Sequence, residues 1–229
     1  MSSALSYKTV AEGIKSGGSF ARMVGLTVCL AVVMAGGMAS AQSTSDDTEY
    51  SLSGPASAEI GLLITTSLGE IVVRIDTTKA PVTSANFLAY VDGGLFDGGS
   101  FFRTVHMRNQ PDDSLRIEVI QGGADQERRD EYYRPIKLER TSETGLVHAD
   151  GTLSMARAGP NTATASFFIC IGDQPELDFG GMRNPDGQGF AAFGQVTDGM
   201  QVVRAIQSAP ADGQSIREPV VIVSIQRRR

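Results

Sequence analysis

Residues 151–162 read Gly-Thr-Leu-Ser-Met-Ala-Arg-Ala-Gly-Pro-Asn-Thr, and residues 166–170 read Ser-Phe-Phe-Ile-Cys. Both stretches are rich in apolar residues, which predicts strands over 152–157 and 166–171. Short apolar runs of the same kind recur on both sides of this region. We therefore expect a fold built mostly from β-strands.

Upstream, the pattern predicts a hairpin followed by a helix. Apolar residues alternate with polar ones over 60–64 and again over 71–75, on either side of a turn at 67–69. Two alternating runs around a glycine-containing turn are typical of a β-hairpin. Pro81 suits the first turn of a helix, apolar residues recur behind it at helical spacing, and the glycine pair 93–94 ends the helix.

The remaining runs predict more strands and one more helix. The strands are expected over 99–105, 115–121, 136–138, 190–196 and 220–225. Asp198 is expected to cap a helix that runs through Met200, Val203 and Ile206. Because the strands do not alternate regularly with helices, a parallel α/β sheet is disfavoured. A closed antiparallel barrel, which leaves no exposed edge, is favoured.

Residues 100–103 read Ser-Phe-Phe-Arg and carry the main functional signal. In a regular strand, alternation would place Phe101 and Arg103 on one face and Phe102 on the other. An arginine beside a large apolar side chain indicates either a pocket wall or a salt bridge. Glu118 is the candidate acid for the salt bridge.

Taken in order, the 100–103 stretch, Ile-Gln-Gly-Gly at 120–123 and the 151–170 region resemble the cyclophilin family of peptidyl-prolyl isomerases. The resemblance covers about residues 60–226. It implies a mostly β fold, a closed eight-stranded antiparallel barrel capped by two helices. It also implies a barrel filled by core side chains and a site on its outer surface. The implied substrates are proline-containing polypeptides, and no cofactor is expected.

The reaction of that family is rotation about an X-Pro peptide bond, and the barrier of a peptide bond is ~18–20 kcal/mol. A catalyst must grip the proline ring, hold the preceding residue through its backbone, and stabilise the twisted bond, in which the proline nitrogen accepts a hydrogen bond. Arg103 suits the last task, because a guanidinium offers several fixed donors and stays charged. Gln121 suits the second, because its amide both donates and accepts. The glycines at 122–123 let the backbone come close.

The resemblance also assigns roles to individual residues. Arg103 matches the catalytic arginine of the family, and Gln121 and Phe168 match its neighbouring glutamine and its pocket phenylalanine. Ala156 and Arg157 match positions that bind the substrate backbone, where the family more often has Ala-Asn. The other candidates for substrate binding are Val119, Met155, Ser166, Leu177 and Phe190. Taken singly, Phe168 would more often be a core residue, so it is the ordered set that predicts the site.

Besides Arg157, five positions depart from the family pattern. Phe102 and Phe190 stand where histidines are common, and Ser166 replaces a glutamine. Glu118 and Glu176 stand where aromatic residues are usual, and for Glu176 the usual residue is a tryptophan. Covering a carboxylate with an apolar ligand is unfavourable, so we expect weak binding of cyclosporin, which binds the family. We also expect the two acids to favour substrates with a Lys or Arg near the proline.

The stretch 107–116 is interpreted as an inserted loop at the rim of the site. Our first hypothesis is an exported peptidyl-prolyl cis-trans isomerase that assists the folding of proteins outside the cytoplasm. The alternatives are a proline-binding module or holdase chaperone with weak or no catalysis, and a purely structural barrel. Turnover of a short X-Pro peptide separates the first hypothesis from the other two.

The N-terminal residues have the layout of a secretory signal peptide, which we place at 1–41. Basic residues precede an almost wholly apolar run over 23–38, and Ala-Ser-Ala is a typical cleavage pattern. The polar residues 42–58 predict a flexible linker, and 59–229 the isomerase domain. The apolar run is short for a membrane span of ~20 residues. We therefore expect a cleaved periplasmic protein, with an uncleaved anchor facing the periplasm as the alternative.

Composition restricts the partners and cofactors. The formal net charge of -6, with Arg227–Arg229 as the one basic run, argues against nucleic acid. Of the two cysteines, Cys29 lies in the leader, and Cys170 is expected to be a small core residue. His106 and His148 lack cysteines or paired acids at ligand spacing, so no metal site is expected. No long apolar helix or heptad is left over, so we expect a monomer.

Overall fold

The computed structural model describes residues 58–110 and 115–228. The strands are β1 (Glu59–Thr66), β2 (Gly69–Asp76), β3 (Ser100–Val105), β4 (Val119–Gly123), β5 (Thr152–Met155), β6 (Ser166–Cys170), β7 (Ala191–Asp198), β8 (Ala211–Asp212) and β9 (Ser215–Arg227). The helices are α1 (Pro81–Asp92), α2 (Thr141–Thr144) and α3 (Met200–Gln207), with 3-10 turns at Gln126–Glu131 and Pro175–Leu177. The predicted signal peptide lies outside the described residues, as does the predicted linker apart from its last residue. No helix in the described ranges is both long enough and apolar enough to cross a membrane.

The strands form one closed antiparallel sheet. Their order is β1-β2-β7-β5-β6-β4-β3-β9-β8, and β1 also pairs with β9. The β1–β9 pairing closes a ring of eight strands and leaves β8 as a short hairpin partner of β9. The prediction of an eight-stranded closed antiparallel barrel is therefore confirmed. Closure pairs the edges that an open sheet would expose.

The predicted hairpin at the start of the domain is confirmed. β1 and β2 pair from Glu59 opposite Asp76 to Thr66 opposite Gly69. Alternation along both strands turns one set of apolar residues into the barrel, where they are fully buried: Leu62, Ile64, Ile71, Val73 and Ile75. The barrel is thus filled by side chains and leaves no lumen for a ligand.

Helix α1 contributes its aromatic residues to the barrel core. It begins at Pro81, as predicted, and the carboxylate of Glu139 accepts the N–H groups of Val82 and Thr83 at 3.0 and 2.8 Å. These bonds satisfy two of the donors that a helix leaves free at its first turn. Phe87 on α1 is fully buried and meets Phe167 edge to face, with 5.2 Å between the ring centroids.

Helix α3 forms where it was predicted, but its cap differs. The N-cap residue is Gly199, with φ +92, and no side chain caps the helix. Asp198 accepts only the N–H of Gly199. A Cβ at position 199 would lie 2.4 Å from the carbonyl oxygen of Glu70, so the close approach to β2 requires glycine here. The prediction that Asp198 caps this helix is therefore wrong.

The strands predicted over 115–121 and 136–138 are among those that are shorter than expected. The first begins only at Val119, because the Gln110 side-chain amide satisfies Ile117 by donating to its carbonyl oxygen at 2.9 Å and accepting its N–H at 3.1 Å. The strand predicted over 136–138 is a single bridge between Ile136 and Ala163. In these places, side-chain amides or residues distant in the sequence form the hydrogen bonds with backbone groups that a neighbouring strand would otherwise form.

Candidate active site

Strand register brings three predicted site residues together on the outside of the barrel. Arg103 on β3 lies opposite Gln121 on β4, and Gln121 lies opposite Phe168 on β6. The three residues therefore occupy one row across neighbouring strands. Ser154 on β5 extends the row beyond Phe168.

A β-bulge turns Arg103 toward this surface. The register shifts between Phe101 and Arg103, so that Phe101 pairs with Gly122 and Arg103 with Gln121. Phe101 is fully buried in the barrel core, whereas Arg103 lines a cavity on the outer face. The expectation that Phe101 and Arg103 share a face is therefore wrong, because the extra residue of a bulge reverses the alternation.

The cavity beside Arg103 has a volume of about 190 Å³. Its lining is Arg103, Ile117, Val119, Gln121, Ala156, Arg157, Phe168, Leu177, Arg183, Asn184 and Phe190. Beneath it lies a small apolar cluster, separate from the barrel core, which we call the outer cluster: Val105, Ile117, Val119, Phe168, Cys170 and Leu177. Ala156 and Phe190 pack against the outer cluster. The result is a small apolar pocket with polar groups along one side.

Three hydrogen bonds to neutral amides hold Arg103. Its Nη1 donates to Gln121 Oε1 at 2.7 Å, and its Nε and Nη2 donate to Gln214 Oε1 at 3.0 and 2.6 Å. Glu118, the acid considered for a salt bridge, lies instead 3.4 Å from the Gln207 amide nitrogen. Burial, and then the charge of Arg183, lower the pKa of Arg103. An arginine nevertheless stays protonated in proteins, so the site holds a fixed, oriented cation.

Arg157 has a different role from Arg103. Its side chain is only 1% exposed, and its guanidinium binds both carboxylate oxygens of Asp186 at 2.7 and 2.8 Å. It also donates through Nε to the carbonyl oxygen of Gly189 at 2.8 Å and lies over the ring of Phe190, 4.9 Å from the centroid. The Arg157 side chain therefore stabilises the rim of the pocket. Because the side chain is almost fully buried while the residue as a whole is half-buried, its solvent-exposed atoms belong to the main chain.

A buried polar chain backs the pocket, and the sequence analysis missed it. His148 stacks on Phe168 with 5.9 Å between the centroids. Its Nδ1 lies 2.7 Å from Asp178 Oδ1, and its Nε2 lies 2.9 Å from Ser154 Oγ. Ser154 is fully buried, so this Ser-His-Asp chain has no access to a substrate. It fixes the position of Phe168 from behind.

Eight of the ten predicted site residues line the cavity, and two do not. Met155 is 1% exposed and belongs to the barrel core, because it lies opposite Phe167 on the inward face. Ser166 lies in a neighbouring groove that also contains Phe102 and Arg129. The placement of Met155 corrects the prediction that it belongs to the pocket, whereas substrate binding by Ser166 stays a prediction, now at the neighbouring groove.

The site residues that the sequence analysis did not name lie in loops. Ile117, Arg183 and Asn184 line the cavity, and Gln214 orients Arg103 from behind. Ile117 falls within the strand predicted over 115–121, but no periodic pattern marks Arg183, Asn184 or Gln214, since each of these three reaches the site through the course of a loop. Only the interpretation of 107–116 as a rim insertion bears on them, and residues 111–114 lie outside the described part of the chain.

The two acids expected to face the substrate do not line the cavity. Glu118 lies in a separate depression with His106 and Gln207. Glu176 accepts the N–H of Met182 at 2.9 Å through its carboxylate. The expected preference for basic substrates therefore has no support in this geometry. Weak cyclosporin binding stays a prediction, since Glu176 still supplies no aromatic ring.

Nothing in the described residues suggests metal chemistry at the site. No group of three or more His, Cys, Asp or Glu side chains within residues 58–110 and 115–228 is arranged to hold a metal ion. Cys170 is buried in the outer cluster, and burial raises the pKa of its thiol. It stays neutral and contributes packing.

The closed eight-stranded barrel, with an arginine beside an apolar pocket on its outer face, has the architecture that the resemblance to the cyclophilins implied. The sequence model described as cyclophilin type peptidyl-prolyl cis-trans isomerase matches residues 62–227. The chain therefore belongs to the cyclophilin-type peptidyl-prolyl cis-trans isomerases.

Individual relatives agree with this assignment. Peptidyl-prolyl cis-trans isomerase B of Escherichia coli is 33% identical over 167 residues, which cover 70% of this chain and 94% of that protein. The isomerase cyp18 of Streptomyces antibioticus is 36% identical over 145 residues, covering 63% of this chain and 81% of that protein. A cyclophilin type isomerase of Cryptosporidium parvum, crystallised in the presence of the dipeptide Ala-Pro, has a TM-score of 0.60 at 22% identity and covers 74% of this chain and 99% of that one. This structural likeness shows the shared fold.

Proposed function

We propose that this isomerase acts on X-Pro bonds of exported proteins, and that Arg103 stabilises the twisted bond. The observation that carries the proposal is the set of three hydrogen bonds that hold the Arg103 guanidinium at the pocket without a carboxylate. An ion pair with an acid would reduce the field that the cation offers to a substrate. The amides of Gln121 and Gln214 orient the guanidinium and leave its charge uncompensated.

The apolar pocket receives the proline ring in this proposal. Val119, Phe168 and Leu177 are each at most 5% exposed and form its floor. The site buries the ring against these side chains, and burial of apolar surface contributes ~25 cal/mol per Å². The pocket fixes the ring, so the rotation about the X-Pro bond is confined to the carbonyl group that precedes the ring.

Two groups position the peptide on either side of the bond. Within the described residues, the side-chain nitrogen of Gln121 makes no hydrogen bond, since only its oxygen is used by Arg103. Its N–H groups are free to donate to a substrate carbonyl. The main chain at Ala156 and Arg157 borders the cavity and holds the residue before the proline.

Arg103 acts on the twisted state. As the bond rotates, resonance is lost and the proline nitrogen becomes pyramidal, with a lone pair that accepts a hydrogen bond. A hydrogen bond to the proline nitrogen that is stronger in this twisted state than in either planar isomer lowers the barrier to rotation. The reaction breaks no covalent bond, so the whole effect is preferential binding of the twisted state.

Arg103→Ala tests the proposal. We expect loss of most activity in a folded protein, with each tenfold loss corresponding to ~1.4 kcal/mol of transition-state stabilisation. Arg103→Lys should restore little, because an ammonium cannot reproduce the guanidinium fork. Exchange NMR on a short X-Pro peptide gives the rate, and circular dichroism gives the fold.

A matched control is Arg74→Ala, which removes a half-exposed arginine paired with Glu59 on the far hairpin. It should keep full activity. Full activity in folded Arg103→Ala would remove the central residue from the mechanism. Binding of the peptide without turnover by the natural protein would instead favour the proline-binding module or holdase.

The place of action is the second part of the proposal. The basic start, the apolar run and the Ala-Ser-Ala pattern support cleavage after residue 41 and a mature protein in the periplasm. Its role there, in this proposal, is to assist folding as a monomer. Mass spectrometry of the protein recovered from its native envelope should find Gln42 as the first residue. A full-length chain in the membrane fraction would favour the uncleaved anchor.

A further inference from the structure

The cavity carries two uncompensated positive charges. Its lining includes three arginines and no aspartate or glutamate. Arg157 is neutralised by the bidentate pair with Asp186. Arg103 binds two neutral amides, and Arg183 donates from Nη1 to the carbonyl oxygen of Leu115 at 3.2 Å. Within the described residues, neither Arg103 nor Arg183 forms a salt bridge with a carboxylate.

These two charges interact with each other. Both arginines are half-buried, and the charge of Arg183, together with burial, disfavours the protonated form of Arg103 and lowers its pKa. Two like charges beside a small apolar cavity raise the free energy of the empty site. A negative group placed between or beside them relieves that repulsion. A basic group adds to it.

The segment 182–184 holds Arg183 at one end of the pocket. The Arg183 N–H donates to the carbonyl oxygen of Glu176 at 3.2 Å, and its guanidinium reaches Leu115. On the other side, Asn184 donates to the carbonyl oxygen of Ala158 at 3.2 Å. The segment therefore spans the rim between the 115–117 side and the strand end that carries Ala156.

We propose that Arg183 is a specificity-determining residue that selects substrates with an acidic residue directly after the proline. This inference rests on the proposed function, in which the main chain at Ala156 holds the residue before the proline. A peptide so placed continues past the proline toward the other end of the rim, where Arg183 lies. A glutamate or aspartate there forms a charge-assisted hydrogen bond with the guanidinium.

The test compares peptides that differ only in the residue after the proline: Glu, Gln or Lys. Exchange NMR gives kcat/KM for each at low and at high salt. We expect Glu to be preferred over Gln and Gln over Lys, with a ratio of about three- to tenfold between Glu and Lys at low salt. High salt should reduce the ratio, because the pair is partly exposed.

The deciding readout is the Glu-to-Lys ratio within one protein, since it does not depend on overall activity. Arg183→Gln should bring the ratio close to one, whereas Arg74→Gln should leave it unchanged. Glu118→Gln should also leave it unchanged, because Glu118 does not line the cavity. A ratio near one in the natural protein, a preference for Lys, or an unchanged ratio in Arg183→Gln would overturn the proposal.

A second peptide set, with the charge placed before the proline, tests the assigned position. Stronger selection there than after the proline would overturn the assignment. Titration of the same peptides gives their Kd values and separates this inference from the proposed function. If the protein binds the peptides without turnover, the proposed function fails. The ratio of Kd values for the Glu and Lys peptides then decides on Arg183.

Discussion

The barrel core and the outer cluster differ in their access to solvent, although consecutive phenylalanines of the same strand contribute to each. Phe167 points inward and is fully buried among other aromatic rings, and Phe168 points outward to the floor of the pocket. Alternation along β6 sends the two rings to opposite faces of one sheet. The outward face keeps a cavity beside its apolar side chains, because loops border this face without filling it.

In this fold, the residues that stabilise the folded state and the residues that contact the substrate therefore lie on opposite faces of the sheet. The core is closed by strand pairing and by α1, so its side chains have no solvent-facing surface to offer. The outer cluster is bounded by loops that carry Arg183 and Phe190, and these loops leave room for a ring. Substitutions in the core should therefore mainly change the free energy of unfolding, and substitutions in the outer cluster should mainly change substrate binding and turnover.

The largest expected effect compares Phe167→Ala with Phe168→Ala. The first should lower the free energy of unfolding by about 3–5 kcal/mol, because it leaves a cavity in a closed core. The second should lower it by less, since Phe168 already borders a cavity, but should remove most turnover. Urea denaturation and exchange NMR measure the two quantities.

Equal stability losses in the two variants would contradict the separation of core and outer cluster. Phe168→Leu is the matched control, because it keeps an apolar side chain at the pocket floor. It should retain more activity than Phe168→Ala at nearly natural stability.

A smaller effect is expected for His148, which links the pocket to the interior. His148→Ala leaves the buried Ser154 hydroxyl without its ring partner and leaves Asp178 Oδ1 with the main-chain N–H of residue 148, at a cost of about 1–3 kcal/mol. It also removes the ring that stacks on Phe168, so KM for the peptide should rise. Urea denaturation and a KM measurement check the two parts.

The control for His148 is the double variant His148→Ala with Ser154→Ala, which also removes the hydroxyl that His148→Ala leaves unpaired. If the cost arises from unpaired groups, this variant should be more stable than His148→Ala. A double variant as unstable as His148→Ala would show that packing alone accounts for the loss.

The smallest effect concerns the rim and depends on pH. The hydrogen-bonded Arg157 guanidinium lowers the pKa of Asp186 in the folded state below its ordinary value. A lowered folded pKa contributes stability that is present above the unfolded value of ~3.9 and is lost as pH falls through the folded value. Asp186→Asn should therefore be less stable than the natural protein at neutral pH, and the gap should close in acid.

Urea denaturation at several pH values measures this gap. Asp212→Asn is the matched control, because Asp212 pairs with Arg217 at a highly exposed site and its pair should contribute little. A gap for Asp186→Asn that is the same at neutral and at strongly acid pH would show that the carboxylate charge contributes nothing to the rim.

Local pattern was enough to predict several elements. The β1–β2 hairpin, the start of α1 at Pro81 and the strand containing Phe168 follow from alternation, from turn residues and from the fixed φ of proline. The predicted boundaries of elements were wrong where a residue distant in the sequence contacts the end of the element. The Gln110 side chain shortens β4, and the backbone of Glu70 decides that a glycine begins α3.

By itself, the sequence indicated a mostly β fold, and its resemblance to the cyclophilins implied the closed barrel and named Arg103, Gln121 and Phe168 as candidate site residues. These depend on side-chain type and on spacing within single strands, which are local properties. Tertiary structure alone decided that a bulge turns Arg103 outward, that His148 supports the pocket, and that Arg183 makes its rim cationic. Those outcomes depend on register between strands and on the course of loops after closure, and residues far apart in the chain set both.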